Sequence, residues 1–591
     1  MTDEIFKNAI KVPQLNINRK LRVNNNFREM LDYMAMEYGD DAAYIIKTRR
    51  ETKNEPAEYK KVSFNGLRQD VIDTGTELLK MGLKGKRMAI IGKNRYEWML
   101  GYYSHLCGLG IVVPLDKGLP YEELELSLQR SQSDVLLFDK DHLDLVETLM
   151  RTGRTNVRVF ICMDAIDGFP NLPAIIHRGR NASEEEKSEY RHLPLDGKEM
   201  SIILFTSGTS GLAKAVMLSQ YNICYNVWQV LCTEDLRHGD VNMAFLPYHH
   251  TFGSTGQSMM SCAGMTTVFC DGLKYIQKNM IEYKVSVFIC VPLIIESMYK
   301  KILQGVKKQG KEETFKKGRK IAGTLKKLHI DVRRRLFKDV LEQLGGGIRY
   351  VISGASPLDP EVSRGFKDMG VEVIQGYGLT ETSPVLAGEN PQHRRDGSIG
   401  HAMPGQELMI IEPNEEGIGE LIASGDNVML GYYENDEATA EVIETDENGK
   451  RWFHTGDLAS LDKDGFLYIR GRKKNVIVLK NGKNVYPEEV ETLIANLPYV
   501  KENMVFGQKK HEDGPDDDLT LSVRIVYDPE YMKTIYGAET PEAIEKVVSK
   551  DLDIINDGLP VYKHIYRHEL TDQPMEMTTT GKVKRYKELQ K

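Results

Sequence analysis

The chain has 591 residues and a formal net charge of −8, with 41% hydrophobic and 28% charged residues. This length favours two or more domains, each with enough apolar side chains for a core of its own. The acidic balance and a pI of about 6.0 argue against general nucleic-acid binding. The seven cysteines are odd in number and form no CxxC pair, so neither a disulfide framework nor a zinc site is expected.

Membrane and secretion signals are not evident in the sequence. The first residues, MTDEIFKNAI, contain no apolar signal core, and no uninterrupted apolar run is long enough to span a bilayer. These features favour a cytoplasmic protein.

Short apolar runs alternate with longer amphipathic stretches over the first two thirds of the chain. Most runs are rich in β-branched residues and are bounded by glycine or polar residues, a pattern typical of parallel strands covered by helices. The predicted strands are residues 88–91, 111–115, 135–138, 157–162, 202–205, 285–291 and 350–352.

Residues 300–338 carry fifteen Lys or Arg against three Asp or Glu, and apolar side chains are interleaved with them. Two interpretations stay open. The segment forms a basic amphipathic helix pair that meets anionic lipid or an acidic partner, or it is a solvated helical face.

The composition changes near Gly397. Glycine, proline and acidic residues then separate short strand-like pieces at 408–411, 420–423 and 466–469, which predicts a β-rich subdomain over about 397–473. After Lys474 the sequence indicates a compact α+β unit over 474–591. Its first helix is expected at Pro487, because proline suits a first helical turn and the glutamates that follow favour the positive helix end.

Residues 206–214 read TSGTSGLAK and follow the predicted strand 202–205. Glycines let backbone N–H groups approach an anion, the four hydroxyl side chains donate hydrogen bonds, and Lys214 adds a positive charge. The stretch predicts a phosphate-binding loop, although it contains no GxxxxGK[ST] string. The alternative is a flexible Ser/Gly linker.

Two further motifs carry groups suited to a nucleotide. Residues 375–384 read QGYGLTETSP, where glycines leave the Tyr377 ring free to lie flat against a purine and Glu381 offers a carboxylate to Mg²⁺. Residues 454–457 read HTGD, and the carboxylate of Asp457 can accept both ribose hydroxyls. Arg472, fifteen residues later, can meet the same sugar.

Three motifs are weak by themselves. The turn 354–357 reads GASP, and residues 246–253 read LPYHHTFG, in which His250 is either a pocket residue or a packed structural histidine. Near the C-terminus, residues 578–582 read TTTGK, and Lys582 is either a functional lysine or part of a loose basic tail.

In this order the motifs resemble those of the adenylate-forming superfamily, which includes acyl-CoA synthetases, luciferases and peptide-synthetase adenylation domains. The resemblance covers about residue 25 to Arg585. The first loop departs from the usual TSGTTGxPKG at Ser210, Ala213 and Ala215, and Glu576 stands where the last motif, PxTxxGK, usually begins with proline. Long-chain fatty acyl-CoA synthetases look most similar, through a VPxxxExxY pattern at 291–299 and the basic insertion.

The resemblance implies an α/β fold. A large N-terminal domain over 1–473 contains two doubly wound sheets of parallel type and a barrel-like β-rich subdomain. A small mobile α+β domain follows over 474–591, with Lys474 as the hinge.

The resemblance also implies roles for individual residues. Thr206 and Glu381 flank Mg²⁺, and Thr380 contacts the α-phosphate. His250 borders the acyl pocket, and Lys582 aligns the attacking carboxylate and offsets charge on the α-phosphate. Lys214 is implied as a further catalytic residue. The other implied nucleotide- and CoA-binding positions are Ser207, Gly208, Thr209, Ser210, Gly211, Gly354, Ala355, Ser356, Gly376, Tyr377, Gly378, Asp457, Arg472, Lys474, Gly482 and Lys483.

The implied activity is ATP-dependent ligation of a carboxylic acid, a medium- or long-chain fatty acid, to CoA. The reaction passes through acyl-AMP and releases AMP and pyrophosphate, with ATP, Mg²⁺ and CoA required. Two alternatives remain: delivery to an acyl-carrier protein, and a non-catalytic acyl-nucleotide sensor. Peripheral contact with the inner face of the membrane through 300–338 is expected if that segment meets lipid. A monomer and a homodimer both remain open.

Overall fold

A computed structural model describes residues 6, 8–52, 55–206, 213–511, 515, 518–577 and 583–590. Two mixed sheets form the body of the protein. The first has seven strands, with parallel pairing in its centre and antiparallel pairing at one edge. Its strands, in spatial order, are Gly431–Tyr432, Lys214–Ser219, Met200–Thr206, Gly110–Leu115, Lys86–Ile91, Val135–Phe138 and Val159–Cys162.

The second sheet has nine strands and also combines a parallel centre with antiparallel edges. In spatial order they are His401–Ala402, Val385–Gly388, Glu372–Gly378, Tyr350–Ser353, Val287–Cys290, Val241–Ala244, Thr266–Phe269, Ala42–Arg49 and Glu58–Ser63. All seven predicted strands of this part of the chain are confirmed, with ends that differ by one or two residues. They were predictable because strands covered on both faces bury every side chain, as all four residues of Val135–Phe138 do.

Helices cover the two sheets and lie between them. The main helices of this part are Phe27–Tyr38, Phe64–Lys80, Tyr96–Leu106, Tyr121–Arg130, Leu143–Thr152, Leu172–Arg180, Glu184–Arg191, Gln220–Thr233, Thr251–Cys262, Ile276–Tyr283, Pro292–Lys308, Glu312–Lys327, Arg333–Leu336, Lys338–Glu342 and Pro360–Asp368. None of the described helices combines the length and the apolar composition that crossing a bilayer requires.

One hydrophobic cluster joins the two sheets. It contains Val112 and Leu204 from the first sheet and Tyr44 and Val287 from the second. Side chains of the helix Phe64–Lys80 also belong to it. Because apolar burial is the main stabilising contribution, this shared core holds the sheets as one body. The ends of strands from both sheets can therefore contribute to a single site.

The β-rich region is an antiparallel sheet of six strands: Ile10–Lys11, Glu407–Ile411, Gly419–Ser424, Ile443–Thr445, Arg451–Leu461 and Leu467–Arg472. The predicted strands at 408–411, 420–423 and 466–469 are confirmed. Backbone hydrogen bonds of residues 399–402 connect the two sides of this sheet, in keeping with the predicted barrel-like form. The Ile399 N–H donates to the Leu467 carbonyl at 2.8 Å, and the Ala402 N–H donates to the Pro13 carbonyl at 2.9 Å, just after Ile10–Lys11.

The last part of the chain has its own hydrophobic cluster, which includes Val490, Val505, Val523 and Val548. Its strands are Ile477–Val478, Asn484–Val485, Val500–Lys509, Leu519–Tyr527 and Ile565–Thr571, and its longer helices are Pro487–Ala495 and Pro541–Asp557. The helix expected at Pro487 is confirmed. One contact with the preceding body runs from Lys300, whose Nζ donates to the Pro498 carbonyl at 3.4 Å.

Candidate active site

The two strands that border the predicted phosphate loop pair antiparallel, and Thr206 lies directly opposite Lys214 at their open end. The Thr206 hydroxyl donates to the Lys214 carbonyl at 3.4 Å. The loop connecting them must therefore start and finish at this point. Ser207, Gly208, Thr209, Ser210 and Gly211 lie outside the described residues.

Tyr432, which the sequence analysis missed, connects Lys214 with Glu381. Its strand pairs with Lys214–Ser219 at the sheet edge. The Lys214 ammonium lies 4.5 Å from the centre of the Tyr432 ring, and the Tyr432 hydroxyl donates to Glu381 Oε1 at 3.0 Å. The tyrosine is only 3% exposed. Burial, then the charge of Glu381, raises the pKa of Tyr432, so its hydroxyl stays a donor at neutral pH.

The GYG segment forms the end of a strand of the second sheet. Gly376, Tyr377 and Gly378 close the strand Glu372–Gly378, and a short 3₁₀ helix, Thr380–Thr382, follows directly. The Glu381 carbonyl accepts from the Met429 N–H at 2.8 Å, which ties this turn to the segment leading into Tyr432. Thr380 and Glu381 thus lie beyond a strand end, where ligands of open α/β sheets bind.

Tyr377, Asp457 and Arg472 form an interlocked polar group. Asp457 and Arg472 are register partners on neighbouring strands. Arg472 Nε lies 2.8 Å from Asp457 Oδ1, and the Tyr377 hydroxyl donates to Asp457 Oδ2 at 2.5 Å. Arg472 also donates to the Thr455 carbonyl at 3.1 Å. Burial and the Asp457 charge raise the pKa of Tyr377. The structure thus brings the predicted ribose residues together and adds Tyr377, through its hydroxyl, to the group.

The turn Gly354, Ala355 and Ser356 lies beside the GYG strand. A side chain at Gly354 would come within 3.0 Å of the Phe252 ring and 3.4 Å of the Gly376 carbonyl, so only glycine fits without a shift. Ala355 has a positive φ of 75°, which is uncommon for a residue with a Cβ. This turn therefore borders the same space as Tyr377, on the side of Phe252.

His250 immediately precedes the helix Thr251–Cys262, and its ring centre is 4.2 Å from that of His249. Burial is the main cause that lowers the pKa of both residues, to about 3 for His249, so both are neutral at neutral pH. A cavity of about 20 Å³ lies next to this helix, between Tyr248, Phe252 and Ile289. His250 therefore faces its surroundings as a neutral hydrogen-bonding group rather than as a cation.

Lys474 begins the last part of the chain and lies among other positive charges. Partial burial, followed by the charges of Arg472, Lys214 and Arg585, lowers the pKa of Lys474, while Asp457 opposes that change. Lys582 lies outside the described residues, between Met577 and Val583, which pair as an isolated bridge.

Gly482 and Lys483 lie in a turn whose observed contacts are within the last part of the chain. Gly482 has φ 76° and no atom within 4 Å of the position of a Cβ. The Lys483 ammonium lies 4.4 Å from the centre of the Tyr562 ring. The structure does not place these two residues with Lys214, Glu381 and Asp457.

The sequence pattern of the AMP-binding enzyme family matches residues 31–433, and that of the AMP-binding enzyme C-terminal domain matches residues 474–591. The chain therefore belongs to the AMP-binding enzyme family, and the resemblance to the adenylate-forming superfamily is confirmed.

Curated relatives carry related names. The long-chain-fatty-acid–CoA ligase FadD15 of Mycobacterium tuberculosis is 28% identical over 450 residues, 73% of this chain and 73% of the relative. The peroxisomal long chain acyl-CoA synthetase 6 of Arabidopsis thaliana is 27% identical and covers 79% of this chain and 68% of its own length. The chloroplastic long-chain-fatty-acid–acyl-carrier-protein ligase AEE15 of the same plant is 24% identical over 88% of this chain and 78% of the relative.

Solved structures share the fold over nearly the whole chain. The anthranilate CoA ligase AuaEII in complex with anthranoyl-AMP has a TM-score of 0.75 at 19% identity and covers 96% of this chain and 98% of its own. The fatty acyl CoA synthetase of Mycobacterium tuberculosis has a TM-score of 0.63 at 20% identity, with the same coverage of 96% and 98%. The predicted α/β fold class is confirmed.

Proposed function

We propose that this protein is an AMP-forming acid–thiol ligase that activates a medium- or long-chain fatty acid and transfers it to CoA. The observation that carries the proposal is the convergence of two groups of residues at strand ends. Lys214, Tyr432 and Glu381 form a side suited to phosphates, and Tyr377, Asp457 and Arg472 form a side suited to a ribose. The choice of a fatty acid rests on the names of relatives that are 24–28% identical.

The first half-reaction joins the acid to AMP. A carboxylate oxygen of the acid attacks the α-phosphorus of ATP, the bond to the bridging oxygen breaks, and pyrophosphate leaves with that electron pair. Lys214 and Lys582 offset the negative charge that develops, and Thr380 donates to the α-phosphate. Asp457 accepts from the ribose hydroxyls, which fixes the nucleotide while the acid approaches.

Mg²⁺ fits the residues on the phosphate side. The Glu381 carboxylate is oriented by the Tyr432 hydroxyl, and with the Thr206 hydroxyl it supplies the hard oxygen ligands that Mg²⁺ prefers. When bound, the ion neutralises phosphate charge. Tyr432 acts on the site by holding Glu381 in one orientation and by covering one side of Lys214.

The second half-reaction transfers the acyl group. The CoA sulfur attacks the acyl carbonyl carbon of acyl-AMP, and its proton passes to solvent. The bond between that carbon and the phosphate oxygen then breaks, and AMP leaves with its electron pair. We propose that the chain divides into domains 1–473 and 474–591, and that the second rotates about Lys474 between the two steps. This rotation withdraws Lys582 and presents Gly482 and Lys483.

The test is pyrophosphate release from MgATP across acids from acetate to oleate plus benzoate, with and without CoA. We expect release to peak with a medium- or long-chain acid and acyl-CoA to form only when CoA is added. Lys582→Ala is expected to lose most adenylation but to keep much of the thioester formation from supplied acyl-AMP. Lys587→Ala, in the same basic tail, is the matched control. Equal loss of both steps in Lys582→Ala would exclude the assigned role.

An acyl-carrier protein is the second candidate acceptor, and the AEE15 relative favours it. Pyrophosphate release followed by transfer of the acyl group to a purified acyl-carrier protein, rather than to CoA, would support this acceptor. ATP binding without pyrophosphate release from any acid would instead indicate a non-catalytic acyl-nucleotide sensor.

A further inference from the structure

The basic segment 300–338 gives the protein a strong charge asymmetry. It carries a net charge of +12 in a chain whose total is −8, so the remaining residues carry −20. Net charge therefore favours approach to a negatively charged surface with this segment leading. The question is which part of the segment faces outward.

The helix Glu312–Lys327 is firmly attached through its inner face. Phe315, Gly318 and Ala322 are buried. Arg319 adds ion pairs to Asp368 at 2.8 Å and to Glu361 at 3.0 Å. With its inner face fixed in this way, the helix presents a defined outer face rather than a loose tail.

Lysines occupy that outer face at helical spacing. Lys317, Lys320 and Lys327 are exposed, and their ammonium groups have no ion-pair or hydrogen-bond partner in the part of the chain that the structure describes. Lys316 differs, because Glu313 lies 3.4 Å from its ammonium. Three unneutralised charges on one side of a rigid helix form a surface suited to a polyanion.

Large apolar side chains lie beside these lysines. Ile321, which follows Lys320, is 55% exposed, and Leu328, which follows Lys327, is 64% exposed. Ile330 and Leu336, at 52% and 49%, continue the apolar exposure beyond the helix end. A face that only contacts water has no use for such side chains, whereas a face that enters a lipid headgroup layer buries them.

In the preceding helix, Pro292–Lys308, one of the exposed lysines already has contacts within the protein. Lys300, on the exposed side of Pro292–Lys308, donates to the Pro498 carbonyl and lies 5.7 Å from the centre of the Tyr531 ring. Its ammonium is thus directed to the last part of the chain. The surface considered below is therefore the helix Glu312–Lys327 and the turn that follows it.

We propose that this surface, here called the lysine face and defined by Lys317, Lys320, Ile321, Lys327 and Leu328, binds anionic lipid at a membrane surface. The lysines attract the headgroups, and Ile321 and Leu328 enter the interface between headgroups and acyl chains. Binding through the lysine face is reversible and sensitive to salt, because most of the attraction is electrostatic.

The test is co-sedimentation of the full chain with phosphatidylcholine vesicles that contain or lack phosphatidylglycerol, in the absence of ATP, acid and CoA. The outcome is therefore independent of the proposed ligase activity. We expect binding only to the anionic vesicles. Replacing one lysine is expected to lower the partition coefficient roughly fivefold, so Lys317→Gln/Lys320→Gln/Lys327→Gln is expected to lower it about a hundredfold.

The matched control is Lys60→Gln/Lys61→Gln/Lys84→Gln, which removes the same charge from exposed positions elsewhere. It is expected to bind like the wild type, and thermal unfolding of both variants verifies that they are folded. Equal binding by the two triple variants, or no wild-type binding to anionic vesicles, would overturn the proposal.

A second variant tests insertion directly. Leu328→Trp is expected to shift its added fluorescence to shorter wavelength with anionic vesicles and to show no shift with phosphatidylcholine alone. If purified acyl-carrier protein binds the wild type but not the lysine triple variant, while vesicle binding is unchanged, the lysine face is a protein-docking surface and the lipid proposal fails.

Discussion

The ribose side of the site and the turn at 480–484 differ in how firmly the protein holds them. Tyr377, Asp457 and Arg472 hold one another with contacts of 2.5 and 2.8 Å across three strands. Gly482 has empty space where a side chain would be, and the Lys483 ammonium lies against one aromatic ring, although its backbone is hydrogen-bonded within the turn. Groups that grip the nucleotide in both half-reactions gain from rigidity, whereas groups needed in only one step must be able to move.

The strongest test of the rigid region is Asp457→Ala. It removes a buried carboxylate from Arg472 and Tyr377 and from the ribose hydroxyls. Because hydrogen bonds to a charged group contribute about 1.5–3 kcal/mol each, kcat/KM for ATP is expected to fall a few hundredfold. Pyrophosphate release at varied ATP measures it. Asp462→Ala is the matched control, since Asp462 follows the strand Arg451–Leu461 and pairs with Arg395 outside the site. Similar losses in both variants would mean that Asp457 acts only on stability.

The next largest effect is expected at Tyr432, the bridge between Lys214 and Glu381. Tyr432→Phe keeps the ring beneath Lys214 but removes the hydroxyl that orients Glu381. The Mg²⁺ concentration for half-maximal pyrophosphate release is expected to rise about tenfold, as is typical when a partner of a metal ligand is lost. Tyr432→Leu also removes the ring, and a further rise in KM for ATP is expected, about threefold.

Tyr433→Phe provides the matched control for this prediction. It removes the hydroxyl of the adjacent residue. That hydroxyl accepts a hydrogen bond from Arg87 at 2.7 Å and lies outside the site. An unchanged Mg²⁺ requirement in Tyr432→Phe, or an equal change in Tyr433→Phe, would separate Tyr432 from the metal.

A smaller effect concerns the stability of the rigid region. Burial alone would raise the pKa of Glu420, but hydrogen bonds from His454 and Lys473 and their charges lower it to about 2. Because the pKa of Glu420 is lower in the folded protein than in the unfolded chain, where it is about 4.3, the folded state is stabilised at pH values above about 4.3. This stabilisation is lost as the pH falls toward 2. The free energy of unfolding is expected to drop by about 2 kcal/mol over this range because of Glu420.

Denaturant unfolding at about pH 5 and about pH 3 measures this change, and Glu420→Gln is expected to have a flatter profile than the wild type. Glu407→Gln serves as the control, because Glu407 pairs with Lys450 at 2.6 Å in the same sheet but is 34% exposed. A larger flattening in Glu407→Gln would contradict the role of burial.

The sequence could reveal those features of the fold and the site that depend on a local pattern of residues. Parallel strands such as Val135–Phe138 were predictable, because burial on both faces requires a continuous apolar run. Lys214, Glu381, Asp457 and Arg472 could be proposed from the sequence as site residues, since each lies within a local motif. The structure brings Lys214 and Glu381 together, and likewise Asp457 and Arg472.

Tyr432 could not be found in this way, because its role depends on an edge pairing with residues more than two hundred positions earlier. No local pattern encodes that pairing. Tyr377 was identified, but its hydroxyl bond to Asp457 joins two motifs eighty residues apart. The connection of the two sides of the β-rich sheet through residues 399–402 likewise joins segments far apart in the sequence, which composition does not determine.

The smallest expected effect tests the weakly held turn at 480–484. Tyr562→Leu removes the ring beneath the Lys483 ammonium, a contact that contributes about 0.5–1 kcal/mol at an exposed site. Thioester formation from supplied acyl-AMP and CoA is expected to slow roughly twofold to fivefold, whereas pyrophosphate release stays unchanged, because the turn acts only in the second step.

Tyr566→Leu is the matched control, since Tyr566 is exposed on the next strand and does not contact Lys483 among the described residues. A slowdown of both steps would mean that Tyr562 stabilises the whole C-terminal part. A slowdown of neither would mean that Lys483 is positioned by the substrate rather than by the ring.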